Sequence, residues 1–175
     1  MHLLLGQYFN MALVTTETII FATPERVWKI FKDLIRRGNG HQSWLQVETN
    51  KAPGQHIQVA VKRSKNRVHT FSPMLLIDEE DKEFRWVGKL GCLLVVGEHY
   101  FQLEPCLGGR ATRFVNEEEF YGILVPLFKH KFHKSRHCFM EFNLKLKEMC
   151  EHPGETIPSL PSPITAGPVA QACLF

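Results

Sequence analysis

Residues 13–22 read LVTTETIIFA, rich in β-branched side chains and free of glycine and proline, which favours an extended strand. The period then changes. Thr23-Pro24-Glu25 suits a helix start, with Thr as N-cap and Pro at the first helical position. Val27, Trp28, Phe31, Leu34 and Ile35 follow at helical spacing until Gly38-Asn39-Gly40. After a connection containing Trp44, residues Ile57, Val59 and Val61 alternate with His56, Gln58, Ala60 and Lys62, the period of a half-buried strand. Segments 68–77, 83–90, 98–104 and 111–121 behave in the same way and are separated by turns at 78–82, 91–97 and 105–110, an antiparallel meander. From Pro126 onward, Phe128, Phe132, Phe139, Phe142, Leu146 and Met149 form a stripe close to the helical period, running through Cys150. A sheet made this way buries one face only by curling around that last helix. The pattern predicts an α+β fold: a curved antiparallel sheet wrapped around a long C-terminal helix, with a short helical segment after the first strand.

The ends read differently from the middle. Residues 152–175 contain Pro153, Pro158, Pro161, Pro163 and Pro168 among Ser, Thr and Gly, and are expected to form a disordered tail. Residues 1–11 are an N-terminal extension of uncertain structure, and Met11 is a candidate alternative start. The domain is expected over residues 12–151, a normal size for one globular unit. A total of 175 residues, 44% hydrophobic and 22% charged, leaves no room for two full domains. The 21 Lys+Arg and 18 Asp+Glu are scattered, with no polybasic arm, so nucleic acid is not the expected partner. No apolar run approaches the roughly 18 residues of a membrane span. Five cysteines (Cys92, Cys106, Cys138, Cys150 and Cys173), with no C-x-x-C pair and no N-x-[ST] sequon, point to a reducing compartment and a cytoplasmic location.

Particular residues then narrow the fold. They are Ala22-Thr23-Pro24-Glu25-Arg26-Val27-Trp28 at the first strand-to-helix step, Trp44, Pro53-Gly54-Gln55, Phe84-Arg85-Trp86-Val87-Gly88, and Gly97-Glu98-His99-Tyr100-Phe101-Gln102-Leu103-Glu104. Thr112-Arg113-Phe114, Glu118-x-Phe120-x-Gly122 and Asn143-x-x-Leu146-Lys147 continue the series. In this order, over essentially the whole core, they resemble the START-like (SRPBCC) superfamily, the polyketide cyclase and lipid-transport group that shares the helix-grip fold of the major birch pollen allergen. The resemblance implies a cavity for lipids, sterols, polyketides or plant hormones, and in some members cyclase or hydrolase activity. Two departures stand out: Trp44-Leu45-Gln46 where many relatives have Trp-Asn-Pro, and a longer connection over residues 35–43, which predicts a differently built entrance.

Strand parity supplies candidate site residues. Phe101 and Leu103 place His99 on the apolar face, and Phe114 and Phe120 place Asn116 and Glu118 there. With the hairpin turning near Leu107 and Gly108, residues opposite each other have numbers summing to about 215 or 217, so His99 faces Asn116 or Glu118. The preceding hairpin, turning near Leu93 and Leu94, is expected to set Trp86 near Phe101 and Gly88 near His99, leaving room for a ligand or water. Burial of an unpaired carboxylate or imidazole is costly, so His99 and Glu118 are expected to hydrogen-bond directly or through a water. This pair is either a ligand-orienting site or a satisfied structural pair, or a bulge turns Glu118 outward.

Other groups offer less. His130, His133 and His137, with Glu141, align along the last helix at a spacing that suits zinc, but opposite the apolar stripe; a solvated basic face is expected, and no metal. Glu117 and Glu119 flank Glu118 on the other sheet face and form no acid/base dyad with it. No standard nucleophile, Walker or dinucleotide motif is present, and no cysteine has an activating context, so no cofactor is expected.

The first expectation is a non-catalytic module binding a hydrophobic or aromatic small molecule. Its apolar lining would be Trp86, Phe101, Phe114, Phe120, Leu124, Phe132 and Phe139, with Gly88 giving room and His99, Asn116 and Glu118 fixing a polar group. The alternatives are an aromatase/cyclase-like enzyme using His99 and Glu118 as general acid and base, and a helix-grip protein-interaction module. Deleting residues 152–175 should leave the melting temperature within about 4 °C of the full chain, since a larger drop corresponds to well over 1 kcal/mol at this size.

Overall fold

The computed structural model describes residues 11–38, 44–64, 67–90 and 94–152. The β-branched segment expected as a strand over 13–22 forms β1 (Met11–Ile20), two residues earlier at each end, with Val14, Thr16 and Ile20 turned inward and the odd-numbered residues outward. Helix α1 (Pro24–Arg37) follows. Thr23 occupies its N-cap, but its hydroxyl makes no capping bond. Pro24 instead removes one of the N–H groups that a helix start leaves unsatisfied, and Gly38, at φ 74°, closes the other end through its N–H to Leu34 O at 2.9 Å.

The meander is β5 (Met74–Glu79), β6 (Glu83–Leu90), β7 (Val95–Cys106) and β8 (Ala111–Tyr121), and β1 pairs antiparallel with β8 to give the order β1-β8-β7-β6-β5. A second, three-stranded sheet contains β2 (Trp44–Val47), β3 (Val59–Ser64) and β4 (Arg67–Phe71). The segment expected as one strand over 68–77 is therefore two strands in different sheets. Pro73 divides them, since proline has no N–H to give a ladder. The chain turns a corner there: Ile57 N–H donates to Pro73 O at 2.9 Å, and His56 bridges to Met74. Strand β2 lies in what the sequence pattern left as a connection. Four residues are too few for alternation to register.

Helix α2 (Val125–Glu151), with Pro126 in its first turn, covers the inner face as the aromatic stripe predicts. Phe142, Asn143, Leu146 and Cys150 are buried. Its last turns are tied to neighbouring backbone: Arg26 Nε donates to Cys150 O at 3.0 Å, Lys147 Nζ donates to Ile19 O at 2.6 Å, and Phe21 N–H donates to Glu151 Oε1 at 2.7 Å. The Lys147 bond also satisfies a backbone carbonyl on the open edge of β1. Among the described residues, no helix is long and apolar enough to cross a membrane. Residues 1–10 of the expected extension and 153–175 of the expected tail lie outside the described residues.

The main core is built on Phe31 of α1. Its ring lies 4.9 Å from Phe101, 5.7 Å from Phe114, 6.2 Å from Phe84 and 6.3 Å from Phe142, joining α1, β6, β7, β8 and α2 in one aromatic cluster. Lys32, next along α1, bonds Asp78 at 2.7 Å and stands over the Phe84 ring at 4.2 Å. Phe31→Ala should lower the unfolding free energy by about 3–5 kcal/mol, the usual cost of emptying a buried aromatic site. Leu144→Ala, on an exposed turn of α2, should change it by no more than about 0.5 kcal/mol. Urea titrations of both variants give the comparison.

Candidate functional site

The strand registers lay the inner face out in rows. One row crosses the sheet as Gly88, Gly97, Phe120 and Ala12; the next as Leu75, Trp86, His99, Glu118 and Val14; the third as Phe84, Phe101, Asn116 and Thr16. His99 pairs with Glu118, one of the two partners the hairpin arithmetic allowed, and no bulge turns the carboxylate outward: His99 and Glu118 are both buried.

The neighbouring hairpin corrects the expected arrangement. Leu90 pairs with Val95, so the turn is centred one residue earlier than expected. Trp86 faces His99 rather than Phe101, and Gly88 faces Gly97 rather than His99. Parity is preserved by this two-residue change of register, so the same side chains point inward with different neighbours. The indole of Trp86 stacks on the His99 ring, with centroids 4.7 Å apart and planes 25° apart. Phe101 at 4.7 Å and Phe139 of α2 at 4.9 Å complete an aromatic surround.

Of the two arrangements expected for His99 and Glu118, a direct hydrogen bond or one through a water, the direct bond is not formed. Nδ1 and Oε2 are 3.9 Å apart, an ion-pair distance. The ring instead uses Nε2, 3.0 Å from Asn116 Oδ1. Asn116 Nδ2 donates to Asn143 Oδ1 at 3.1 Å, Asn143 Nδ2 donates to Thr16 Oγ1 at 3.1 Å, and Thr16 Oγ1 donates to Asn116 O at 3.3 Å.

The direction of this chain follows from its last member. A backbone carbonyl only accepts, so the single hydroxyl proton of Thr16 is committed to Asn116 O. Thr16 Oγ1 must then accept from Asn143, which turns Asn143 Oδ1 toward Asn116 and makes Asn116 the donor. Asn116 Oδ1 is thereby aimed at His99, and Nε2 carries the hydrogen. In the neutral ring Nδ1 is the basic nitrogen, so a proton gained by the imidazole goes to the atom beside Glu118.

Of the other expected site residues, Phe101 and Phe114 are fully buried in the cluster around Phe31, whereas Phe120, with Val14, Val95 and Val125, forms a smaller group against which Leu124 and Phe139 pack. A side chain at Gly97 would meet the Phe120 ring at 3.4 Å and Glu118 Oε1 at 3.7 Å. The side chains of Phe132, His130 and His133 lie outside the described residues. His137 is exposed and 3.3 Å from Glu141, on the outward face of α2 as expected.

Thr16 and Asn143 were not among the expected site residues. Thr16 shares the parity of Val14 and Ile20, and Asn143 lies beside Phe142 in the helical stripe. In each, a polar residue at an inward position was the available signal.

Glu117 and Glu119 face outward but are half-buried, both near the Tyr100 hydroxyl, on a surface where Arg85 bonds Glu98 at 2.8 Å and Glu83. Burial, together with Glu117 and Glu98, raises the Glu119 carboxyl above its ordinary range, opposed by Arg85. Burial pushes the Cys150 thiol up to about 12, which removes it as a nucleophile near neutral pH.

The family model described as polyketide cyclase/dehydrase and lipid transport matches residues 11–137. The chain belongs to that family. No curated protein matches it significantly. Among solved structures, a Chromobacterium violaceum protein is similar at 16% identity and TM-score 0.57, over 81% of this chain and 98% of its own. Truncated norcoclaurine synthase from Thalictrum flavum is similar at 10% identity and TM-score 0.56, over 81% and 94%. The Zhui aromatase/cyclase from Streptomyces sp. R1128 is similar at 11% identity and TM-score 0.52, over 81% and 91%. These likenesses show the helix-grip fold.

Thr16→Val should cost about 1–3 kcal/mol, because it leaves the buried Asn143 amide without its acceptor. Nitrogen NMR of the wild-type ring should find hydrogen on Nε2 of neutral His99. Hydrogen on Nδ1 would contradict the derived direction.

Proposed function

We propose that this family member binds a hydrophobic or aromatic small molecule between the sheet and α2, without turnover, and that His99 and Glu118 orient one polar group of it. The observation that carries this reading is the row containing His99 and Glu118. An imidazole with one nitrogen held by Asn116 and the other beside a carboxylate is a fixed polar fixture in an apolar surround. The Gly88–Gly97 pair lies beside it and contributes no side chains, which suits the apolar body of a ligand flanked by Trp86, Phe120, Leu124 and Phe139. Phe101, Phe114 and Asn116 support the fixture from the packed side, and Phe132 remains a candidate lining residue from its helical phase. A reducing, cytoplasmic setting is part of the same proposal, resting on the cysteine pattern.

One observation favours a second reading. With Nε2 committed to Asn116, the imidazole exchanges its proton at Nδ1, beside Glu118, an arrangement suited to general acid/base work on an enolisable substrate. The names of the aromatase/cyclase and norcoclaurine synthase neighbours make this reading worth testing.

Mass spectrometry of small molecules copurifying with the native protein should find a hydrophobic compound. His99→Ala and Glu118→Gln should each weaken its binding by about 1–3 kcal/mol, with no conversion by the wild type. Turnover by the wild type that falls roughly 100-fold or more in either variant would replace binding with catalysis.

A further inference from the structure

The row that carries His99 and Glu118 differs from the row beside it. Phe84, Phe101 and Asn116, in the next row, are enclosed, whereas the side chains of His99 and Glu118 keep 9% and 8% of their surface open. Space the size of a water therefore reaches the pair. Oε1 of Glu118 lies toward Gly97, 3.7 Å from where a Cβ would stand, and Gly97 has no positive φ that would call for glycine. What glycine supplies there is a missing side chain next to the carboxylate.

The two facing polar atoms of the pair, His99 Nδ1 and Glu118 Oε2, are 3.9 Å apart. One ligand atom placed about 2.8 Å from each, a usual length for N–H···O and O–H···O bonds, would reach both. The proton inventory decides which atom suits that position. Nε2 holds its hydrogen against Asn116, so any further proton on the pair resides at Nδ1 or on the carboxylate. With no such proton, both atoms only accept. With one, the pair offers one donor and one acceptor and carries no net charge, the state that burial favours. Two protons require a carboxylic acid beside an imidazolium, a state of acid solutions. Near neutral pH at least one of the two atoms is therefore an acceptor, and a group placed between them must donate a hydrogen. A carbonyl, an ether or a carboxylate donates none and would set its lone pairs against an acceptor. A hydroxyl donates to the acceptor and accepts from the donor.

We infer that the polar group this site takes is a hydroxyl, so that the ligand is a hydrophobic alcohol or phenol and not a carboxylate, an ether or a ketone. This ligand class presupposes the binding reading given above and belongs to the same site. Glu118 is the residue that sets the choice, since its carboxylate repels an acceptor-only head group, and the Asn116 bond makes His99 its fixed counterpart.

The test uses the full chain and two apolar bodies with different head groups: naphthol, methoxynaphthalene and naphthoate substituted at the same ring carbon, and decanol, decyl methyl ether and decanoate. Calorimetric titration at neutral pH should find the hydroxyl member of at least one series bound about tenfold or more tightly than its ether and its carboxylate. Addition of that compound should move the nitrogen resonance of His99 Nδ1 while Nε2 keeps its hydrogen. Glu118→Gln exchanges the carboxylate for an uncharged amide that also donates, and should bring the three members within about threefold of one another, with circular dichroism unchanged. The wild-type series decides even where that variant fails to fold. An ether or carboxylate bound as tightly as the hydroxyl would overturn the ligand class and leave binding intact, as would a tenfold preference that survives in Glu118→Gln. Binding of no member of either series would count against the binding reading itself and take the ligand class with it.

Discussion

The hydrogen bond from Asn116 to Asn143 sets the register of the long helix on the sheet, and the remaining interior contacts depend on that register. Aromatic packing supplies most of the burial, but it is non-directional, and several helix positions could present an apolar side chain to the same floor. A one-residue advance of α2 rotates its side chains by about 100°. It would withdraw Asn143 from both Asn116 and Thr16, leaving buried amides unsatisfied at about 1–3 kcal/mol each. The bonded register is the one in which Phe142 reaches Phe31 and Phe139 reaches His99. One amide pair thereby positions the core and the candidate site together.

The same parity that builds the interior keeps its charges apart. Arg85 and Glu98 face outward on adjacent strands and bond each other, while Trp86 and His99, one position along, face inward. The inner carboxylate of Glu118 is therefore on the opposite side of the sheet from the Arg85 guanidinium, which engages Glu83 and Glu98, and the imidazole across the hairpin stands beside it. Division of the interior is also a matter of side-chain volume. Phe31 closes one end by filling the space between α1 and three strands, whereas Gly88 and Gly97 bring nothing to the row beyond Trp86 and His99.

The parts of this fold that were legible in the sequence are those governed by a period. Alternation in β6, β7 and β8, the start of α1 and the stripe on α2 each repeat often enough to be read, and the face on which His99 and Glu118 lie follows from their parity. What parity cannot supply is register between strands, which depends on turn length; a turn centre misplaced by one residue exchanged the neighbours of Trp86 and Gly88. The division of residues 68–77 is signalled only by Pro73, and the strand β2 is too short to carry a pattern. Side-chain hydrogen bonds were the least legible. Linking Thr16 to Asn143 joins the first strand to the last helix across 127 positions, a relation that only the folded chain creates.

The helix-grip fold accommodates binding and catalysis with the same outline, so the distinction rests on individual atoms. In this chain the decisive atom is Nδ1 of His99. The hydroxyl of Thr16 has one proton, and committing it to a carbonyl fixes, through two amides, the hydrogen on Nε2. A ring held this way has a defined donor edge and a defined basic edge, with stacking by Trp86 restraining its plane. For a binding protein, that arrangement discriminates between ligand groups, because the edge beside Glu118 presents one polarity at a given protonation state. For an enzyme, it would spare the reorganisation of a loose imidazole during proton transfer. Both uses require the polar chain beneath the ring to be complete, so Thr16, Asn116 and Asn143 belong to the proposed site as supports of the ring that stands beside Glu118.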